Sequence, residues 1–98
     1  MFQSWTNFSH KGNFQFDHSH TGKNDTILSG TYYYKTNGED GDIEFSNPVR
    51  CEPMFSDRIV KYKPKIGRLI LFPAWLIHKV HINKTESVRI SISFNLKS

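Results

Sequence analysis

Short runs rich in Phe, Tyr, Thr, Ile and Val recur along the whole chain between clusters of turn-forming residues, and no window sustains a helical period. That pattern predicts an all-β fold, with strands over 3–8, 13–20, 27–35, 42–46, 58–62, 67–72, 76–82 and 87–96. The separators carry turn chemistry: Lys11-Gly12, Thr21-Gly22, Asn37-Gly38, Asp40-Gly41, the stretch from Lys63 to Gly67, and Asn83-Lys84-Thr85. So many short strands in 98 residues leave room for one modest core, hence a single domain over 1–98 built as a small double-sheet barrel or jelly roll. The longest irregular piece, Ser46 to Asp57, holds Pro48, Cys51 and Pro53 and is expected to cross one end of the barrel.

Thirteen Lys and Arg against nine Asp and Glu give a net charge of +4, spread from Lys11 to Lys97 without a long basic run. This is a solvated surface with a mild preference for anions. No stretch reaches the roughly 18–20 apolar residues of a membrane span, and the opening MFQSWTNFSH lacks a basic and then apolar leader. A cytoplasmic chain is the expectation, and the single Cys51 agrees with a reducing compartment. The triplets beginning at Asn7, Asn24 and Asn83 are then chance matches to a glycosylation signal.

Residues two apart in a strand share a face. Phe14, Phe16, His18 and His20 should therefore lie on one side, so that two imidazoles continue an apolar, inward stripe. Buried histidines need partners, and a pair at i and i+2 brings both rings within reach of one metal ion. An isolated His-x-His is more often a hydrogen-bonded or exposed strand end. Two further features weigh against that bland reading. His78 sits on an apolar strand after Leu71-Phe72-Pro73-Ala74-Trp75, and Arg89, Ser91, Ser93 and Asn95 share one face of the last strand. If Ile90, Ile92 and Phe94 filled the core, this polar face would be solvated. Beside three histidines it reads instead as an anion-binding wall, because a guanidinium pairs with a carboxylate through two parallel bonds. His10 lies near a turn and His81 should point outward, so neither joins the set. Trp5 and Trp75 read as rim or core aromatics.

The ordered set His18-x-His20, Leu28-Ser29-Gly30-Thr31-Tyr32-Tyr33-Tyr34, Gly67 to Pro73, His78-x-Val80 and Arg89 to Asn95 resembles the iron(II)/2-oxoglutarate-dependent oxygenases, and in particular their short members common in phage and bacterial genomes. The resemblance spans about Trp5 to Asn95. It implies a double-stranded β-helix whose mouth holds Fe(II) through an H-x-D/E…H triad and binds 2-oxoglutarate through a basic residue after the last histidine. By that resemblance His18 and His78 match metal ligands and Arg89 matches the cosubstrate-binding base. Tyr33 resembles the tyrosine that touches 2-oxoglutarate in the prolyl-hydroxylase-like branch, and Ser93, with Ser91 on the same face, resembles the hydroxyl residue beyond the arginine. His20 departs from the pattern, which has a carboxylate there. Three readings stay open: His20 is a ligand in a three-histidine site, Asp17 or Asp25 takes the place, or the centre is degenerate. Strand geometry favours His20, since Asp17 faces away from His18.

The resemblance thus implies a dioxygenase of the hydroxylase type using Fe(II) and 2-oxoglutarate on a small-molecule or peptide substrate. A cupin-like metal-binding module without turnover is the competing reading, supported by His20 and by the short chain, which could also be one domain of a longer protein. A nucleic-acid-binding barrel ranks last, because such barrels set exposed aromatics among Lys and Arg along a groove and the aromatics here fall on faces expected to be inside. Exposed strand edges would favour a homodimer.

Overall fold

The computed structural model describes residues 2–18, 26–46 and 59–97, with residues 15–18 given by their backbone. His20, Asp25, Cys51 and the crossing segment 47–57 lie outside the described residues. Eight strands form among those described: β1 (Phe2–Ser9), β2 (Gln15–His18), β3 (Thr26–Lys35), β4 (Ile43–Ser46), β5 (Ile59–Tyr62), β6 (Leu69–Pro73), β7 (Ile77–Val80) and β8 (Arg89–Lys97). They build two four-stranded antiparallel sheets, ordered β1-β8-β3-β6 and β2-β7-β4-β5. Successive strands alternate between the two sheets except at β4 and β5, which are neighbours in the second, and this winding agrees with the double-stranded β-helix expected from the sequence. No helix among the described residues is long and apolar enough to cross a membrane.

Register decides which side chains face inward. In the first sheet Ser93 stands opposite Trp5 on one side and Thr31 on the other, while Ser91 stands opposite Asn7 and Tyr33. Arg89, Ser91 and Asn95 are buried, as are Ser29, Thr31 and Tyr33 across the ladder. The inner face of this sheet is therefore largely polar. Its outer face carries the apolar alternates, among them Phe2, Phe8, Tyr32, Leu69 and Leu71, all exposed. This corrects the expectation that the aromatics sit inside for Phe2, Phe8 and Tyr32, while Tyr33, Phe45 and Phe72 are buried as expected.

The apolar core is small and lies toward the second sheet. Ile43, Phe45 and Phe72 are buried together, with Ile70, Leu76 and Val80 packed against them. Phe45 and Phe72 meet at 4.9 Å between ring centroids, and each fully buried side chain of this size contributes about 1.5–3 kcal/mol. Phe14 corrects the inward stripe expected over 14–20. It precedes β2, is 51% exposed, and the ladder between β2 and β7 shifts register between Gln15 and His18, so strict alternation does not extend back to it.

Asn83 closes the barrel beside β8. Its amide donates to the carbonyls of Ser9 and Ser87, both at 2.9 Å, and its side-chain oxygen accepts from Thr85. It is fully buried. A buried amide bonded through both ends has no surface to offer a glycan, consistent with reading this triplet as a chance match.

Candidate functional site

The two sheets meet around a pocket whose walls include Tyr33, His78, Arg89, Ser91 and Ser93. These are five of the seven residues singled out in the sequence. Of the other two, His18 is described by its backbone and pairs directly with His78 across β2 and β7, while His20 lies outside the described residues. No cluster of three His, Cys, Asp or Glu side chains occurs among the described residues.

His78 is buried at the start of β7, in a corner made by Phe72 and Phe45, with ring centroids 4.7 and 6.1 Å from its own. Its Nδ1 lies 3.2 Å from the carbonyl oxygen of Leu76. A carbonyl oxygen only accepts, so Nδ1 carries the proton, and in the neutral ring the lone pair falls on Nε2. Histidines that ligate metals are oriented this way, with one ring nitrogen tied to a carbonyl and the other left as the donor atom.

Arg89 opens β8 and is only 6% exposed. Its Nη1 donates to the carbonyl oxygens of Asp40 and Gly41, each at 3.0 Å. The turn that presents those carbonyls is itself braced by the buried Asp40 carboxylate, which accepts from Thr36 Oγ1 at 2.6 Å and from the Asn37 amide at 3.1 Å. Gly41 is the one residue that fits between the turn and the arginine. Its φ is +118°, and a Cβ there would run into the His81 carbonyl oxygen and lie 2.9 Å from Arg89 Nη1. One backbone-facing nitrogen of the guanidinium is thus occupied, whereas Nε is buried with no hydrogen-bond partner among the described residues. No carboxylate forms an ion pair with Arg89 among the described residues. A buried cation with an unmet donor, lining a pocket, is a standing demand for an anion.

The hydroxyls of Tyr33, Ser91 and Ser93 line the same pocket. Burial pushes the Tyr33 hydroxyl up to about 12, against the pull of the Arg89 charge, so it stays protonated and can donate. Asn7, from β1, donates to Ser93 Oγ at 2.6 Å, which leaves the serine's own hydrogen to point elsewhere. Ser29 Oγ donates to Asn95 at 2.8 Å, tying off the far end of the polar stripe. Asn7 was missed in the sequence. Its signal was present, since Trp5, Asn7 and Ser9 alternate on one face, but nothing local says that this face lies against the polar face of β8.

His81 projects from the outer side of the second sheet, as its register suggested. Its Nε2 sits 2.9 Å from Glu44, which Lys79 and Lys61 also approach at 3.4 and 3.8 Å. Burial raises the Glu44 pKa, but bonds from His81 and Lys79 outweigh it and the net shift is downward. This cluster is separate from the pocket. Trp5 and Trp75 are half exposed at the surface.

Fold and pocket together define a small double-sheet barrel in which a buried guanidinium and an oriented imidazole line one pocket. The chain belongs to the family described as "Putative 2OG-Fe(II) oxygenase", whose model matches residues 3–95. Among solved structures it is similar to a prolyl-4-hydroxylase from Pseudomonas putida, with 16% identity and a TM-score of 0.79 over 98% of this chain and 51% of that one. It is likewise similar to a 2OG-Fe(II) oxygenase family oxidoreductase from Burkholderia pseudomallei, with 16% identity and a TM-score of 0.79 over 97% of this chain and 44% of that one. A cupin domain from Bordetella pertussis aligns at 14% identity and a TM-score of 0.62, covering 99% of this chain and 82% of that one. At these identities the likeness is one of fold. The chain spans about half the length of the first two structures. No curated protein matches it significantly by sequence.

Proposed function

We propose that the chain is the catalytic barrel of an Fe(II)- and 2-oxoglutarate-dependent dioxygenase of the hydroxylase type, acting on a small-molecule or peptide substrate. The observation that carries this reading is Arg89, a buried guanidinium with an unmet Nε in the same pocket as His78. Family membership supplies the identity of the anion. In this reading His18, His20 and His78 would hold the iron, supported by the direct pairing of His18 with His78 across β2 and β7, and Arg89 with Tyr33, Ser91 and Ser93, which line one pocket, would hold the far carboxylate of 2-oxoglutarate. When bound, the metal and cosubstrate supply the oxidising chemistry, consuming dioxygen and releasing succinate and carbon dioxide.

The chain's own part is to bind, orient and exclude water. Leu76 keeps the proton on His78 Nδ1, so Nε2 is the ring nitrogen that would ligate the metal. Phe45 and Phe72 shield that ring on its apolar side. Arg89 provides the counter-charge, held in place by the Asp40–Gly41 turn. Tyr33 and Ser93 would donate neutral hydrogen bonds to the same anion, burial keeping the Tyr33 hydroxyl protonated over the ordinary pH range.

Mixing the protein with Fe(II) and 2-oxoglutarate without oxygen should give a weak visible charge-transfer band, and admitting oxygen should yield succinate even without substrate. His20→Asp should retain iron with altered affinity, since a carboxylate adds negative charge opposite the dication, while His20→Ala should lose much of it. Iron bound without succinate would favour the metal-binding module, a reading to which the size match with a cupin domain lends weight.

A further inference from the structure

We infer that Asp40 is the positioning residue of the anion site: it compensates the Arg89 charge across the turn, while Thr36 and Asn37 hold its carboxylate away from the guanidinium and so leave Nε for a ligand. The inference deepens the proposed function and rests on it only for the identity of that ligand. Asp40 has no exposed surface. Its Oδ1 accepts from Thr36 Oγ1 at 2.6 Å and its Oδ2 from the Asn37 amide at 3.1 Å, so each oxygen is turned back into its own loop. Thr36 Oγ1 in turn accepts from the Gly38 amide at 3.1 Å, and Asn37 Oδ1 accepts from the Glu39 amide at 2.8 Å. Short polar side chains that bond the backbone two or three residues away close tight turns. Here they fix the direction of the Asp40 and Gly41 carbonyls that receive Arg89 Nη1.

A brace alone does not call for a buried charge, since a neutral side chain is buried at lower desolvation cost. The charge is explained by its neighbour. Arg89 is a buried cation with no ion-pair partner among the described residues, and such a cation is stable only with opposite charge nearby. A direct ion pair with Asp40 would meet that need but would occupy the fork that pairs with a ligand carboxylate. Instead the two residues are joined through the Asp40 carbonyl, 3.0 Å from Nη1, so the attraction acts at longer range and takes none of the other donors. Beyond the burial that dominates its shift, Tyr33 feels both charges, Arg89 lowering its pKa and Asp40 raising it. The loop is also tied to the segment that leads into β8, because Asn37 Nδ2 donates to Thr85 Oγ1 at 3.1 Å and Thr85 Oγ1 donates to Asn83 Oδ1 at 2.7 Å. The carboxylate and the bonded carbonyl belong to one residue. Released from Thr36, the side chain would compete with the ligand for the guanidinium.

The test compares Thr36→Val, which keeps the shape and removes the hydroxyl that holds Oδ1, with the double variant Thr36→Val/Asp40→Asn, which also removes the charge. Calorimetry with 2-oxoglutarate and Fe(II) without oxygen should show Kd raised about tenfold in Thr36→Val, the loss of one charge-assisted bond. Adding Asp40→Asn should bring it back to within about threefold of the parent. A double variant that binds more weakly than Thr36→Val is the result a mere brace predicts, and it would overturn the inference. A second readout needs no ligand: the nuclear magnetic resonance signals of the Nε–H groups of the four arginines, with that of Arg89 identified by its loss in Arg89→Met. In Thr36→Val, or in Thr36→Ala should the valine variant not fold, the Arg89 signal should move downfield as the freed carboxylate pairs with it, and return in the double variant. An unmoved signal would overturn the inference. A parent that binds no 2-oxoglutarate would refute the proposed function instead, and the arginine signal would then decide the role of Asp40 by itself.

Discussion

Replacing Arg89 by methionine sets two large effects against each other. The guanidinium donates twice to buried carbonyls, and bonds from a charged donor contribute about 1.5–3 kcal/mol each. Against this, a buried ion costs several kcal/mol in desolvation even after relaxation, and here it has an unpartnered Nε and no carboxylate within ion-pair distance among the described residues. The two nearly cancel. Arg89→Met, which keeps most of the side-chain volume, should therefore lose no more than about 1 kcal/mol of stability without ligand, while Arg89→Ala should lose a further 2–4 kcal/mol, roughly, through the cavity it opens. With 2-oxoglutarate and metal at a hundred times the dissociation constant, the parent should gain about 2.7 kcal/mol and Arg89→Met far less. Urea unfolding at fixed protein concentration, with and without ligand, measures all of these. Two results would refute the reasoning: Arg89→Met as unstable as Arg89→Ala without ligand, or an equal ligand-induced gain in parent and Arg89→Met.

Gly41→Ala should cost about 1–3 kcal/mol, because it combines a positive φ with contacts to the His81 carbonyl and Arg89, and it should weaken cosubstrate binding as well, read by calorimetry. Tyr33 holds its proton to about 12 when folded against 10.0 when free, so the folded state binds more protons between those values and stability falls as pH rises through them. The loss is about 2–3 kcal/mol, and Tyr33→Phe should flatten that limb of a pH titration of the unfolding midpoint. Glu44 has its pKa lowered from 4.5, so its contribution is present above that value and lost as pH falls through the folded one; Glu44→Gln should remove that part of the acid sensitivity. Asn7→Asp would accept from Ser93 where Asn7 now donates, turning the serine's hydrogen away from the ligand, and should raise the dissociation constant for 2-oxoglutarate about tenfold with the fold intact by circular dichroism.

The strands were legible because alternation and turn residues are local properties, and every expected strand has a counterpart in the structure. The polar stripe of β8 was equally plain. What alternation cannot supply is which side of a strand faces in, and β8 shows why: one side is hydroxyls and a guanidinium, the other Ile90, Ile92 and Phe94, and hydrophobicity alone would bury the second. The partners decide it. Opposite Ser91 and Ser93 stand Asn7, Tyr33, Trp5 and Thr31, contributed from far away in the chain. The bond from Arg89 to the Asp40–Gly41 turn was invisible for the same reason, since the pair of turn residues reads as a hairpin signal whether or not a guanidinium lies against it. Phe14 failed through a register shift, which sequence periodicity does not reveal.

The pairing of β1 with β8, which sets Phe2 opposite Leu96, has a consequence for how the protein is made. The wall that carries Arg89 lies in β8, which is synthesised after the other seven described strands, and it is the middle strand between β1 and β3. Until β8 emerges from the ribosome, β1 has no neighbour in its sheet among the described strands and β3 lacks one of its two. Joining segments so distant in the chain is slow, and during the wait the unpaired edges and their phenylalanines are open to other chains. The pocket wall and the joining of β1 to β3 thus come into being in one step, so a nascent chain stalled before β8 would have neither and would leave those strand edges open to other chains.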